Sequence, residues 1–404
     1  MLQIPAEFEQ MRSYEDNEVQ QAIDSLLNDR AFKKIIKGML KVSPIWFLKA
    51  YTKNIKSIHE FQIKLVYPFV RFLKNHKTDG LSSNISSLPE GREDFLFLSN
   101  HRDIVLDSAF LDFLLVSNKR KTVEIGIGNN LLIYPWIKTL VRLNRSFIVN
   151  RSASRNELMQ SSQQLSDYIR FVIANKKSSL WLAQREGRAK DSNDRTQSSV
   201  LKMLLMSGEG TIAEKIKSLH ITPLTISYEF DPCDYLKAEE FQQKRDNPAY
   251  RKSEQADLTN MKVGIFGYKG RVHYEVMPEL ATELDSIDNT LNRNQYLEQL
   301  TAIIDNKIFG GYRIYPCNYI ALDMLNGNNN MCNNYTAKDK KRFEKYLNGQ
   351  LAKISLENPD YDFLRCKMLE MYANPLINKL STLNNELSSS HTVICTISVC
   401  DDFL

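Results

Sequence analysis

The chain has 404 residues, of which 43% are hydrophobic and 25% charged, with 15 glycines and 12 prolines. That balance excludes a largely disordered chain, and the length leaves room for one large domain with an appendage, or for two domains. The net charge of +5 defines no partner, and no run reaches the roughly 18 to 20 apolar residues of a spanning helix.

Residues 1–78 read as a helical module, with Leu26, Leu27, Ile35, Ile36, Leu40, Ile55 and Leu65 at helical spacings and breaks near Pro44 and Pro68. Its start is acidic (Glu7, Glu9, Glu15, Asp16, Glu18), unlike a cleavable signal peptide. Between Ala31 and Thr78 the charge reverses: Lys33, Lys34, Lys37, Lys41, Lys49, Lys53, Lys56, Lys64, Arg71, Lys74 and Lys77 stand against Glu60 alone. Such a block suits an anionic surface. Trp46, Phe47, Tyr51, Phe61, Tyr67, Phe69 and Phe72 are interleaved with it, which fits a lipid headgroup interface, or equally a core beneath a solvated lysine face. The polar stretch Asn75 to Gly91 reads as a linker.

From Glu93, short apolar runs alternate with amphipathic segments. Strands are predicted at Phe95–Ser99, Val123–Ile127, Ser146–Val149, Ser179–Ala183 and His220–Tyr228. Helices are predicted at Ile104–Val116, Leu132–Val141 and Arg155–Ala174, and between Ser198 and Lys217. The alternation predicts an α/β domain over 93–280, a mixed and mostly buried sheet flanked by helices. Lys237 to Asn260 is charged and aperiodic and reads as an exposed insertion; Val263–Phe266 and Val272–Val276, around Gly267 and Gly270, read as an antiparallel hairpin. Residues 281–387 read as a mostly helical C-terminal region and 388–404 as a tail. The six cysteines are scattered without a C-x-x-C spacing, as in a reducing, cytosolic compartment.

Four strings carry possible chemistry. Asn100-His101-Arg102-Asp103 and Asp107 follow a buried strand, where α/β sheets place their sites. A neutral imidazole there can take a proton from a hydroxyl if a carboxylate holds its other nitrogen. The same residues also suit a helix cap with dipole-compensating acids. Arg145 and Arg151 bracket the second strand, Phe147-Ile148-Val149, and guanidinium groups suit phosphate. Gln184-Arg185-Glu186-Gly187-Arg188 ends a third strand in charge and glycine, a plausible anion loop. In His220-Ile221-Thr222-Pro223, the proline is expected only at a strand start, an edge or a bulge, and could form a wall for an acyl chain.

In this order the strings resemble the glycerolphosphate acyltransferase family, which includes the lysophosphatidate acyltransferases. Its His-x-x-x-x-Asp, Phe-Ile-x-Arg, Glu-Gly-Thr-Arg and Ile-x-Pro blocks are matched by His101 with Asp107, Phe147-Ile148 with Arg151, Glu186-Gly187-Arg188 and Ile221-Thr222-Pro223. Two departures mark a divergent branch. Five residues rather than four separate His101 from Asp107, so either the turn carries an extra residue or Asp103 does the orienting; and the Thr before Arg188 is missing. The resemblance implies O-acyl transfer from a coenzyme A or acyl-carrier-protein thioester to glycerol 3-phosphate or 1-acylglycerol 3-phosphate. His101 would be the base and Asp107 its orienter, with Arg145, Arg151, Glu186, Gly187 and Arg188 on the substrate. Apart from the resemblance, the six histidines lack metal-ligand spacing and Leu131 stands where a fingerprint begun by Gly126 and Gly128 needs its third glycine, so no metal or cofactor is expected, nor nucleic acid, and the chain reads as peripheral on the cytoplasmic side of a membrane. Rival readings are transfer to another lipid acceptor, such as an N-acyl amino acid, and a non-catalytic lipid-binding scaffold.

Overall fold

The computed structural model describes residues 3–40, 45–150, 155–288 and 290–388. Among them, seven strands form one sheet: β1 (Gly80–Asn84), β2 (Leu96–Ser99), β3 (Glu124–Gly128), β4 (Ser146–Val149), β5 (Leu180–Ala183), β6 (Ile221–Tyr228) and β7 (Arg271–Val276), in the order β1-β7-β6-β2-β5-β3-β4. β6, β2, β5, β3 and β4 run parallel, whereas β7 is antiparallel to β6 and carries β1 parallel to itself. The sheet is therefore mixed and flanked by helices, as the alternation of patterns predicts.

Every residue of β2 and β6 is buried, which explains their continuous apolar runs: helices cover both faces. On one face Leu96, Leu98, Leu180 and Ile221 pack with Tyr168, Ile169 and Val172 of helix Arg155–Ala174, and with Leu297, Leu300 and Ile304 of helix Arg293–Gly310. Phe8 and Met11 belong to the same cluster. On the other face Phe95, Phe97, Trp181 and Leu224 meet Leu106, Phe110 and Leu111 of helix Leu106–Ser117. Each such side chain contributes roughly 1.5–3 kcal/mol by leaving water. A third cluster joins helices Pro316–Asn326, Ala337–Leu351 and Tyr361–Ser388 through Ile320, Leu347, Leu364 and Met368.

Several expectations are corrected. Lys237 to Asn260 is not an exposed insertion: helices Asp234–Asp246 and Glu254–Phe266 run through it, and Lys237, Glu240, Gln242 and Asn260 are buried. Burial here is by paired charge, Lys237 with Asp231 and Lys190 with Glu240, so no apolar period marks it. Val263–Phe266 is the last turn of helix Glu254–Phe266, not a strand, and Ile265 and Phe266 use their apolarity to pack against the second cluster. β7 pairs instead with β6 and β1. The supposed linker contains β1, an edge strand. Pro68 does not break its helix; it is the second residue of helix Tyr67–Lys77, directly after the π-helical turn Gln62–Val66, a position that tolerates a missing N–H. Pro44 and the tail from residue 389 lie outside the described residues.

Pro223 is neither first in its strand nor on an edge. Its carbonyl accepts from Met277 N at 2.9 Å, so its nitrogen faces the side where β7 has already ended at Val276. No ladder donor is required there, which reconciles a proline with an interior strand.

Candidate active site

β2 ends at Ser99, and the next residue fastens the loop to the sheet. Asn100 Nδ2 donates to Ile226 O at 2.9 Å, and Ile226 N donates to Asn100 Oδ1 at 2.8 Å. His101 follows, with its side chain 13% exposed and its ring edge-on to Trp181 at 5.5 Å between centroids. His101 Nδ1 stands 2.8 Å from Asp107 Oδ2. That oxygen also accepts from Arg102 N at 2.6 Å and Asp103 N at 3.0 Å, and the Asp107 side chain is fully buried. Asp103 is occupied otherwise: its Oδ1 accepts from Val105 N at 2.9 Å and Leu106 N at 2.8 Å, at the start of helix Leu106–Ser117. The turn between them thus absorbs the extra residue of the motif, and it is Asp107 that reaches the imidazole.

Behind the loop is a buried ion pair that no local pattern in the sequence announces. Arg102 Nη2 lies 2.7 Å from Asp194 Oδ2 and donates to Tyr312 Oη at 3.2 Å; Tyr312 Oη donates to Asp194 Oδ2 at 2.5 Å. Burial pushes the Asp194 carboxyl above its ordinary value despite Arg102. The pair ties the loop after His101 to the loop after β5 and to the C-terminal region. Its members come from residues 102, 194 and 312, so only the tertiary fold could reveal them.

A cleft of about 680 Å³ opens over His101. Glu186, Gly187, Arg188 and Lys190 line it from the loop after β5, and Lys252 and Asn260 from the segment of the two charged helices. Gly187 sits at φ +70°, a left-handed turn that glycine adopts without strain. Arg188 is tied to Asn260 Oδ1 at 3.0 Å. Although burial opposes its charge, Cys233, Asp231 and Asp103 raise its pKa overall.

The structure therefore brings His101, Asp107, Glu186, Gly187 and Arg188 to one region. It does not bring Arg145 there. That residue precedes β4, at the opposite end of the parallel strands from His101, where its guanidinium donates to Thr122 O at 2.6 Å and Ser178 Oγ at 2.5 Å. It is a structural tie between loops. Arg151 lies outside the described residues, and Pro223 is not part of the cleft wall. Among the described residues no group of His, Cys, Asp and Glu could hold a metal ion, and no helix is long and apolar enough to cross a membrane.

The fold and site define an α/β protein with a carboxylate-held histidine at the mouth of a charged cleft. Comparison with family models and with curated proteins gives no match. Among solved structures, the chain is similar to the crystal structure of PlsC, the 1-acyl-sn-glycerophosphate acyltransferase of Thermotoga maritima, at 13% identity and a TM-score of 0.37, over 71% of this chain and 96% of that one. A likeness of this degree bears on neither reaction nor substrate.

Proposed function

We propose that this chain is an O-acyltransferase that moves a fatty acyl group from a coenzyme A or acyl-carrier-protein thioester to a hydroxyl of glycerol 3-phosphate or 1-acylglycerol 3-phosphate. His101 is the general base: its Nε2 takes the hydroxyl proton as the oxygen attacks the thioester carbonyl, and the thiolate then leaves. Asp107 holds Nδ1 and stabilises the imidazolium. The observation that carries this reading is the 2.8 Å contact between Nδ1 and a fully buried carboxylate, which leaves the other nitrogen for a ligand in the cleft. Glu186, Gly187 and Arg188 shape the acceptor side, with Arg151 expected to join them.

The protein works at a membrane surface in this reading. Of the aromatic residues in the basic block, Phe61 is buried, but Trp46, Phe47, Tyr51 and Phe72 are exposed, among exposed Lys34, Lys37, Lys49, Lys53 and Lys56. That combination suits an anionic headgroup layer. The test of function is to incubate the pure protein with a labelled acyl thioester and a panel of acceptors with and without phosphate. Transfer to a phosphate-bearing hydroxyl that disappears in His101→Ala supports the reading. Failure with every acceptor sinks it, and equal use of acceptors lacking phosphate moves the assignment to another lipid class.

A further inference from the structure

At the edge of the sheet opposite β4, a polar stripe crosses three strands. Side chains two apart on a strand share a face, and the register sets Ser82 of β1 beside His273 of β7 and Asn84 beside Glu275, with Ser227 and Thr225 of β6 on their other side. Val272, Tyr274 and Val276 turn the opposite way, into the second apolar cluster. β7 and β6 separate β1 from β2, and Ser82, His273 and Glu275 do not line the cleft over His101.

Three of these side chains are joined in series. Ser82 Oγ stands 2.8 Å from His273 Nδ1, and His273 Nε2 stands 3.0 Å from Glu275 Oε2. A carboxylate only accepts, so Nε2 carries the ring proton and Nδ1 is left bare to accept from the hydroxyl. Asn84 Nδ2 donates to the other carboxylate oxygen, Glu275 Oε1, at 2.6 Å. His273 is 6% exposed, whereas Ser82 is open to solvent. Burial holds the imidazole below its ordinary pKa and Arg313 adds to this, outweighing Glu275, so the ring is neutral at pH 7. Arg313, exposed just after helix Arg293–Gly310, places Nη1 3.3 Å from Ser82 Oγ and 3.4 Å from Nδ1, and its backbone N–H donates to Ser227 Oγ at 3.0 Å.

We propose that Ser82, His273 and Glu275 form a serine nucleophile triad that hydrolyses carboxylic esters, a second active site on the sheet edge, with the two ring nitrogens exchanged relative to the usual Ser-His-acid arrangement. Ser82 Oγ attacks the ester carbonyl while its proton passes to Nδ1, and the Arg313 guanidinium faces the oxyanion. The bond from the acyl carbon to the alcohol oxygen breaks, and the leaving alcohol takes the proton from Nδ1. Water then gives a proton to Nδ1 and adds its oxygen to the acyl carbon; the carboxylic acid leaves and Ser82 Oγ recovers the proton. Glu275 is a positioning residue that fixes the tautomer and stabilises the imidazolium. A stitch that only fastened β1 to the sheet would leave Ser82 as unreactive as any surface serine.

Treatment of the intact protein with a fluorophosphonate, followed by mass spectrometry of its peptides, is expected to find Ser82 modified, and p-nitrophenyl acetate to be hydrolysed with turnover. Ser82→Ala, at an exposed position, should lose the label and most of the hydrolysis, and Ser355→Ala, exposed in the C-terminal region, neither. His273→Gln should slow labelling by at least about 10²-fold and Arg313→Gln by about tenfold or more. Glu275→Gln should lower kcat for the ester about tenfold or more with KM unchanged. No labelling of Ser82 in wild type, labelling at the wild-type rate in a folded His273→Gln, or unchanged kcat in Glu275→Gln overturns the triad. Should His273→Gln not fold, Arg313→Gln decides: labelling at the wild-type rate overturns it.

Discussion

Gly264, in the third turn of helix Glu254–Phe266, lies against the carboxylate of Asp103 with no room for a β-carbon between them. The helix that walls the cleft is thus seated directly on the residue that caps the turn after His101. Gly264→Ala should force one of the two to move, at about 1–3 kcal/mol in stability, and should lower acyl transfer because the turn carries His101. Thermal unfolding and turnover of the purified variant check both effects. Wild-type values for each would mean that the seat is loose.

The two aspartates of the turn make different contacts, and their amides should behave differently. Asp103→Asn keeps an oxygen for Val105 N and Leu106 N, whereas Asp107→Asn removes the charge facing His101. Asp107→Asn is expected to reduce kcat by at least about tenfold more than Asp103→Asn, and His101→Ala to lose about 10²-fold to 10⁴-fold. Circular dichroism establishes that each variant is folded. The reverse order of the two amides would assign the orienting role to Asp103.

Asp112, on helix Leu106–Ser117, has its carboxyl raised by burial from the ordinary 3.8 to about 7, against the opposing bond from Val123 N. The folded state therefore binds a proton that the unfolded chain has already released. From this group, stability falls as pH rises from about 4 to about 7, by up to roughly 4 kcal/mol. Asp112→Asn keeps an acceptor for Val123 and cannot ionise, so its stability relative to wild type should increase between pH 5 and pH 8. Denaturant titrations at the two pH values measure it; Asp234, raised to about 7 in the same way, stays in both proteins and cancels. A difference independent of pH would show that Asp112 is ionised throughout.

Sedimentation with vesicles should show binding to anionic but not to neutral lipid, weakening as salt shortens the Debye length below about 10 Å. Replacing Trp46 and Phe47 with Ala, both at least half exposed, should weaken it further without unfolding the protein. Point variants suit this test better than truncation, because Phe8 and Met11 belong to the main core. Binding indifferent to lipid charge, salt and these aromatics would remove the module as the anchor.

What was legible in the sequence follows a physical rule. β2, β4, β5 and β6 are buried on both faces or nearly so, and their apolar runs gave their places to within a residue or two. Helix Arg155–Ala174 was equally plain because one face alone is apolar. The helices at 234–266 were not, since their burial relies on ion pairs such as Lys237 with Asp231, and a paired charge reads like a solvated one. β1 escaped for the opposite reason: Gly80–Asn84 is alternately exposed and has no apolar run at all. At the site, His101, Asp107 and the loop of Glu186 to Arg188 stood out because each follows a strand. Arg145 misled because it flanks the wrong end of one. Asp194 and Tyr312 were invisible, being joined to Arg102 only by the fold.

The pairing of β1 with β7 has a consequence for biosynthesis. Ser82 and His273 face each other across that ladder although 191 positions separate them. At ribosomal speeds β1 emerges roughly 10 to 40 s before its partner exists. A β-branched, apolar strand left bare for so long would invite association between nascent chains. Gly80-Leu81-Ser82-Ser83-Asn84 is instead polar and glycine-led, a strand that can wait in water for the end of its own sheet.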